Sequence, residues 1–135
     1  MIPYLKCMLV VAATVGLPPR VLPVIQKIEG GAPGVITLDS NGTQDFGVMQ
    51  VNSIWIAPLA ARAQLSPIET RLRLIEDPCF NIAAAGLILQ DYLVENHGEL
   101  LPAIGDYHSH TPGLNAAYAQ QAERQALQLF ADNGQ

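Results

Sequence analysis

Proline and glycine punctuate this chain so often that most of its elements must be short. Residues 4 to 15 form a short apolar segment. Pro18 and Pro19 then start a second helix, on which Val21, Leu22, Ile25 and Ile28 recur at helical spacing. Gly30-Gly31 stops that helix. Residues 35 to 52, VITLDSNGTQDFGVMQVN, change character: β-branched residues flank Asn41-Gly42, a tight-turn dipeptide, and this predicts a small β-hairpin. Ser66-Pro67-Ile68-Glu69 has the form of a capping box with proline at the first helical position, opening a helix to about Glu76. Pro78 opens the longest helix, with Ile82, Gly86, Leu87, Leu89 and Leu93 expected to be buried and an end near His97-Gly98. Two more helices are expected, from about Leu100 to Tyr107 and from about Gly113 to Ala131. No repeat, low-complexity tract or linker interrupts this order. The expected fold class is mainly α with a small β-hairpin, an α+β arrangement of helices around a long central helix, and residues 1–135 are read as one domain.

Half of the 135 residues are hydrophobic and 14% are charged, enough apolar material for one core and too little chain for two ordinary ones. The net charge is -5, and Lys6, Arg20, Lys27, Arg62, Arg71, Arg73 and Arg124 form no stripe, which argues against a nucleic-acid partner. The longest apolar stretch, Cys7 to Leu17, is far shorter than the roughly 20 residues of a membrane span. It has some features of a secretory signal, with Lys6 before it. Yet no A-x-A site closes it, and Pro18-Pro19 lead into another amphipathic segment. The expectation is that the chain begins near a mature N-terminus, with Met1 replacing a leader.

Cys7 and Cys79 lie 72 positions apart, which is neither a metal-ligand spacing nor a CxxC pair. They are either two buried free thiols or one bridge between the first helix and a later one. A bridge would contribute on the order of 4 kcal/mol in the chain-entropy view and would place the protein in an oxidising compartment.

Glu29 ends the second helix, where the helix dipole disfavours negative charge, on or beside an apolar face. Both effects raise a carboxyl pKa, as a general acid working near neutral pH requires. Asp45 follows sixteen residues later within the expected hairpin, in a polar stretch with Asp39, Asn41, Thr43 and Gln44. It reads as a solvated turn residue, unless the hairpin folds back over the end of the second helix and sets it across a cleft from Glu29. Two carboxyls in unlike surroundings can cleave a glycosidic bond.

The run Glu29-Gly30-Gly31, followed by Asn41-Gly42-Thr43-Gln44-Asp45-Phe46-Gly47-Val48-Met49-Gln50-Val51-Asn52-Ser53-Ile54-Trp55, resembles the shared core of c-type lysozymes and of the lytic transglycosylases associated with secretion, conjugation and pilus assemblies. In those families a glutamate ends a helix and a segment G-(I/L)-(M/L)-Q-(I/V)-N-S-x-W lines the sugar cleft. Cys7 with Ala12-Ala13, Gly16 and Pro19, then Asp77-Pro78-Cys79-Phe80-Asn81-Ile82, is similar to the transglycosylase pattern in which the two cysteines are bridged. Ala103-Ile104-Gly105-Asp106-Tyr107-His108-Ser109-His110, with Tyr118 beyond, resembles the AIGAYNAG…Y segment of that family. The resemblance runs from about residue 7 to 120.

The resemblance implies a lysozyme-like fold and a lytic transglycosylase acting outside the cytoplasm, in the periplasm or otherwise exported. Glu29 would protonate the glycosidic oxygen between N-acetylmuramic acid and N-acetylglucosamine, then act as base while the muramic C6 hydroxyl attacks C1, leaving a 1,6-anhydro end. Asp45 is the second catalytic candidate, with a place in c-type lysozymes that many transglycosylases leave without a carboxylate. Gly47 would let the backbone approach the sugar, Met49 would give an apolar contact, Gln50 and Asn52 polar contacts, and Tyr107 a hydroxyl near the acid. Core packing is the competing role for Met49 and Tyr107. The implied partners are peptidoglycan strands, with components of a secretion, conjugation or pilus apparatus as further candidates. A monomer without cofactor or metal is expected. The chain departs from the family pattern at Gly30, where many relatives have serine, and at His108-Ser109-His110. Three readings compete: a hydrolytic muramidase using Glu29 and Asp45, a non-catalytic wall-binding or scaffold protein, and a zinc site built from His97, His108 and His110.

Overall fold

The computed structural model of the protein describes residues 2–108 and 112–130. Helix α1 (Leu5–Val15) buries Met8 and Ala12 and ends at Gly16, whose φ of 78° turns its N–H back onto the Ala12 carbonyl. After Pro18-Pro19, α2 (Val21–Glu29) buries Val21, Leu22, Val24 and Ile25, the early part of the face expected from the spacing, with Ile28 half-buried. Gly30, at φ 67°, stops it and leaves Glu29 as its last residue. Both ends use glycine because a side chain at positive φ is strained.

The β region has one strand more than the expected hairpin. Strands β1 (Ile36–Leu38) and β2 (Gln44–Phe46) pair antiparallel, Thr37 opposite Asp45, around a loop in which Gly42 lies at φ 88°. A tight reversal over residues 47–50 then brings β3 (Val51–Asn52) against β2, with Asp45 opposite Asn52 and Phe46 opposite Val51. Phe46, Val48, Met49 and Val51 are at most 1% exposed, so the reversal forms the inner side of the sheet and is not a surface turn. A 3-10 turn (Ser53–Trp55), capped by the Asn52 side chain on Ile54 N–H, leads into α3 (Ile56–Ala63).

Helix α4 (Pro67–Glu76) starts as the sequence indicates. Ser66 Oγ accepts from Glu69 N–H at 3.1 Å, while the Glu69 carboxylate turns to Arg73 at 3.0 Å, leaving the box one-sided. Asp77 caps α5 (Pro78–Glu95), the long helix, by accepting from Phe80 N–H. Helix α5 packs against α1, α2, α4, β3 and α6 (Leu100–His108), and α6 lies against α7 (Pro112–Phe130), which returns to α2. Ile82, Gly86 and Leu89 are buried as expected, whereas Leu87 and Leu93 are half-buried. Gly86 has a steric reason, since a side chain there would collide with Val11 of α1. Cys7 and Cys79 are bridged, with their Cα atoms 5.5 Å apart, fixing α1 to the first turn of α5 and deciding between the two alternatives for these residues.

Asn81, fully buried in α5, joins these parts. Its Nδ2 donates to the Phe46 and Leu74 carbonyls at 2.8 Å each, and its Oδ1 accepts from Met49 N–H at 2.8 Å. One amide thus serves β2, the reversal after it and the end of α4.

Asn81→Ala leaves two carbonyls and one N–H buried without partners. It is expected to cost on the order of 3 kcal/mol in urea denaturation, with the β region affected most in hydrogen exchange. For the bridge, thiol titration of the unfolded, unreduced protein is expected to find no free thiol. Reduction is expected to lower Tm through the freedom regained by a 72-residue loop.

Candidate active site

A cleft of about 340 Å³ opens between the β sheet and the helices. Glu29, Asp39, Asp45, Gln50, Asn52, Tyr107 and His108 are on its walls, with Ile54 and Trp55 at one side. The fold back of the β region over the end of α2, on which the pairing of Glu29 with Asp45 depended, is therefore present. The cleft is lined on the sheet side by Asp45 of β2 and on the helix side by Glu29.

Glu29 is half-buried, and burial pushes its carboxyl above the ordinary value of 4.5. Asp39 adds to the rise, while a hydrogen bond from Tyr118 and the field of His108 oppose it. Tyr118, on α7 and 4% exposed, donates its hydroxyl to Glu29 Oε2 at 2.6 Å. Its ring is stacked on His108, centroids 4.7 Å apart and planes within 2°. Burial and the Glu29 charge push the Tyr118 phenol far up, so it stays a donor throughout the usual pH range. The hydrogen bond that orients Glu29 thus comes from α7.

Asp45 stands in the middle of the sheet, between Thr37 and Asn52. Burial pushes its carboxyl from 3.8 up to about 6, with a hydrogen bond and repulsion from Asp39 adding to the rise, repulsion from Glu29 adding too, and Asn52 opposing it. Asn52 donates from Nδ2 to Asp45 Oδ1 at 2.9 Å, with Asp39 Oδ2 at 3.1 Å and Thr43 Oγ at 2.9 Å also within reach. Gln50, at φ 53°, accepts from Thr37 Oγ at 2.7 Å and donates to the Gly47 carbonyl at 3.1 Å. Its side chain is held along the sheet edge of the cleft.

Tyr107 lines the cleft as expected, close enough to Glu29 for that carboxylate to help push its phenol up, while its hydroxyl donates to the Met49 carbonyl at 2.8 Å and the phenol donating to Glu29 is Tyr118. Two expectations need correction. Met49 is fully buried among the core side chains and does not line the cleft, because the reversal at 47–50 turns it inward under Asn81. Gly47, at φ 69°, is also absent from the cleft walls. A Cβ there would meet the Leu74 carbonyl and the Asn81 amide, so packing against α4 and α5 by itself requires glycine.

Asp39, Asp106 and Tyr118 join the site beyond the residues expected from the sequence, and His108 enters it beside Tyr118 and not within a set of three zinc ligands. Asp106 is buried at the cleft and accepts from Asn96 Nδ2 at 2.7 Å and from Asn115 Nδ2, joining the end of α5 to α6 and α7. His97 is exposed just beyond α5 at φ 55°, His108 is committed to the Tyr118 ring, and His110 lies outside the described residues, as does Ser109. Among the described residues no group of three or more His, Cys, Asp or Glu could hold a metal ion, and no helix is long and apolar enough to cross a membrane.

Fold and site together describe a mainly helical, disulfide-bridged protein with a cleft between two carboxyls of raised pKa. Over 116 residues, the chain is 24% identical to protein IpgF of Shigella flexneri, an alignment covering 83% of this chain and 72% of that protein. No family model matches the chain.

The raised Asp45 value makes a thermodynamic prediction with a definite sign. A carboxyl with a folded pKa above its unfolded one binds more protons when folded, so its contribution to stability falls as pH rises from about 4 through about 6. Asn resembles the protonated form. Asp45→Asn is therefore expected to raise Tm at pH 7 and to leave it nearly unchanged at pH 4, as read by calorimetry at both values.

Proposed function

We propose that the protein is a peptidoglycan-cleaving lytic transglycosylase that breaks the bond between N-acetylmuramic acid and N-acetylglucosamine, with Glu29 as general acid and then base. The observation that carries this reading is the setting of Glu29: the last residue of a helix, half-buried, raised in pKa, held by Tyr118 and facing a cleft. A carboxyl so placed keeps its proton until a leaving oxygen can take it. The Tyr118 hydroxyl fixes which oxygen of Glu29 is engaged, leaving the other to face the sugar. As the C1–O bond breaks, the ring gains positive charge. The ionised Glu29 then takes the proton of the muramic C6 hydroxyl as that oxygen bonds to C1, and no water is consumed. The chemistry needs no cofactor.

The cleft location and raised pKa of Asp45 favour a second reading, hydrolysis in the lysozyme manner, with Asp45 as nucleophile or counter-charge and water completing the reaction. The bridge between Cys7 and Cys79 supports work in an oxidising compartment such as the periplasm. Peptidoglycan would be the partner there, near a secretion, conjugation or pilus apparatus that needs local opening of the wall.

Mass spectrometry of muropeptides released from purified peptidoglycan separates the two chemistries, because anhydro products are one water lighter than hydrolytic ones. Glu29→Gln is expected to lower turnover by about 10²- to 10⁴-fold with the fold retained. Wild-type turnover in this variant would remove Glu29 from the mechanism, and no turnover by the wild type would favour a wall-binding role. Activity is expected to decline on the alkaline side as Glu29 loses its proton. Asp45→Asn is expected to keep most turnover under transglycosylation and to lose nearly as much as Glu29→Gln under hydrolysis.

A further inference from the structure

The polar side of the β sheet holds more carboxyl than it has donors or cations to satisfy. Asp39 closes the loop after β1, its N–H donating to the Thr43 carbonyl at 2.9 Å, which aims its side chain back towards β2. Asp39 Oδ2 and Asp45 Oδ1 both lie within hydrogen-bond reach of the single amide nitrogen Asn52 Nδ2, at 3.1 and 2.9 Å. That amide has two protons and three oxygens to serve, the third being Thr43 Oγ. The one hydroxyl proton of Thr43 is itself divided between Asn41 Oδ1 at 2.7 Å and Asp39 Oδ2 at 3.2 Å.

Among the described residues, the groups around the pair supply no fixed positive charge. Glu29 faces it from α2, and Tyr107 from α6, with its proton already given to the Met49 carbonyl. Tyr92 of α5 and Asp106 of α6 line the same cleft without bringing a cation. Arg71 of α4 reaches β2 but is engaged by Gln44 Oε1 at 3.2 Å and by the Phe46 ring. His108 of α6 lies against Tyr118 on the Glu29 side.

We propose that Asp39 is a positioning residue that shares one proton with Asp45, so that the two carboxyls act as a single monoanion beneath the sugar. Two adjacent carboxylates with few donors and no cation are costly, and one proton held between them removes the repulsion while supplying the missing hydrogen bond. The raised Asp45 value, with Asp39 among its causes, agrees with the geometry. Below about pH 6, where the proton is held, the pair carries one negative charge on the sheet side of the cleft; above it the charge becomes two. Through its field, Asp39 also helps Glu29 to hold its proton. The effect on Glu29 turnover rests on the glycosidic reading; the shared proton does not.

The test is a carbon-13 NMR titration of the side-chain carboxyls in the wild type, with Asp45→Asn identifying the Asp45 resonance. Asp45 is expected to titrate near 6 in the wild type and to move towards 3.8 in Asp39→Asn, which keeps a hydrogen-bonding oxygen in place but cannot share the proton. Asp39→Ser serves as the second variant should the first not fold. In turnover assays, Asp39→Asn is expected to shift the alkaline limb of kcat/KM to lower pH, an effect that a role confined to bracing the loop would not produce. An Asp45 titration equal in the wild type and Asp39→Asn, or an Asp45 that titrates near 3.8 in both, overturns the proposal. Absence of turnover would defeat the glycosidic reading and leave the NMR result to decide the shared proton.

Discussion

Asn81 is the residue on which the cleft depends. A short sheet of two- and three-residue strands cannot hold itself in place, since such strands bring too few hydrogen bonds and too little buried area to be stable alone. Its inner side is instead fastened to α5, which at 18 residues is one shorter than α7 and so not the longest helix that the sequence suggested, through three hydrogen bonds of one buried amide, to the Phe46 and Leu74 carbonyls and from Met49 N–H. The disulfide does the corresponding work at the other side of α5 by fixing α1 to its first turn. Helix α5 is thus a spine to which the sheet, α1 and α4 are each attached, and small residues at Ala84, Ala85 and Gly86 let its neighbours approach closely. Asp45 lies next to Phe46, so a fault at Asn81 would move the second carboxyl as well as weaken the fold.

Most element boundaries are legible in the sequence because they are set by local chemistry. Gly16 and Gly30 end their helices through backbone conformations that glycine accepts readily, and Ser66 and Asp77 begin theirs by accepting from N–H groups three residues on. Helix α3 and strand β3 were not legible in the same way. Strand β3 is two residues long and exists because Val51 pairs beside buried Phe46, a tertiary cause with no local signature. Helix α3 has no N-cap side chain, follows directly from a 3-10 turn and carries Pro58 in its first turn, so nothing in its own residues marks a start.

The site was legible where a position on an element fixes direction, and illegible where direction is set from a distance. Glu29 and Asp45 follow from the end of α2 and from the return of the sheet. Gln50 and Asn52 line the cleft as the motif suggested, whereas Gly47 and Met49 from the same segment face inward. A contiguous motif lists neighbours in sequence, but a reversal containing two residues at positive φ distributes them over both sides of the chain. Tyr118 could not be assigned to Glu29 from spacing, since 89 residues separate them and only the return of α7 onto α2 brings them together.

These placements give the two carboxyls different environments by different means. Glu29 is surrounded by tertiary structure: a buried phenol from α7, a ring from α6 and its own helix end. Its pKa therefore reports how well α6 and α7 are docked. Asp45 is surrounded by its own sheet, where Asp39, Thr43 and Asn52 all come from within fourteen residues, so its environment forms whenever the hairpin forms. A change that loosens α7 would free Glu29 from Tyr118 and admit water, returning its carboxyl towards the ordinary range and reaching Asp45 only through the lesser repulsion between the two carboxyls. The division lets Glu29 respond to the docking of the last two helices more directly than the sheet side of the cleft does. On the proposed reading, the cleft can therefore be silenced through α7 without disturbing the sheet that receives the sugar.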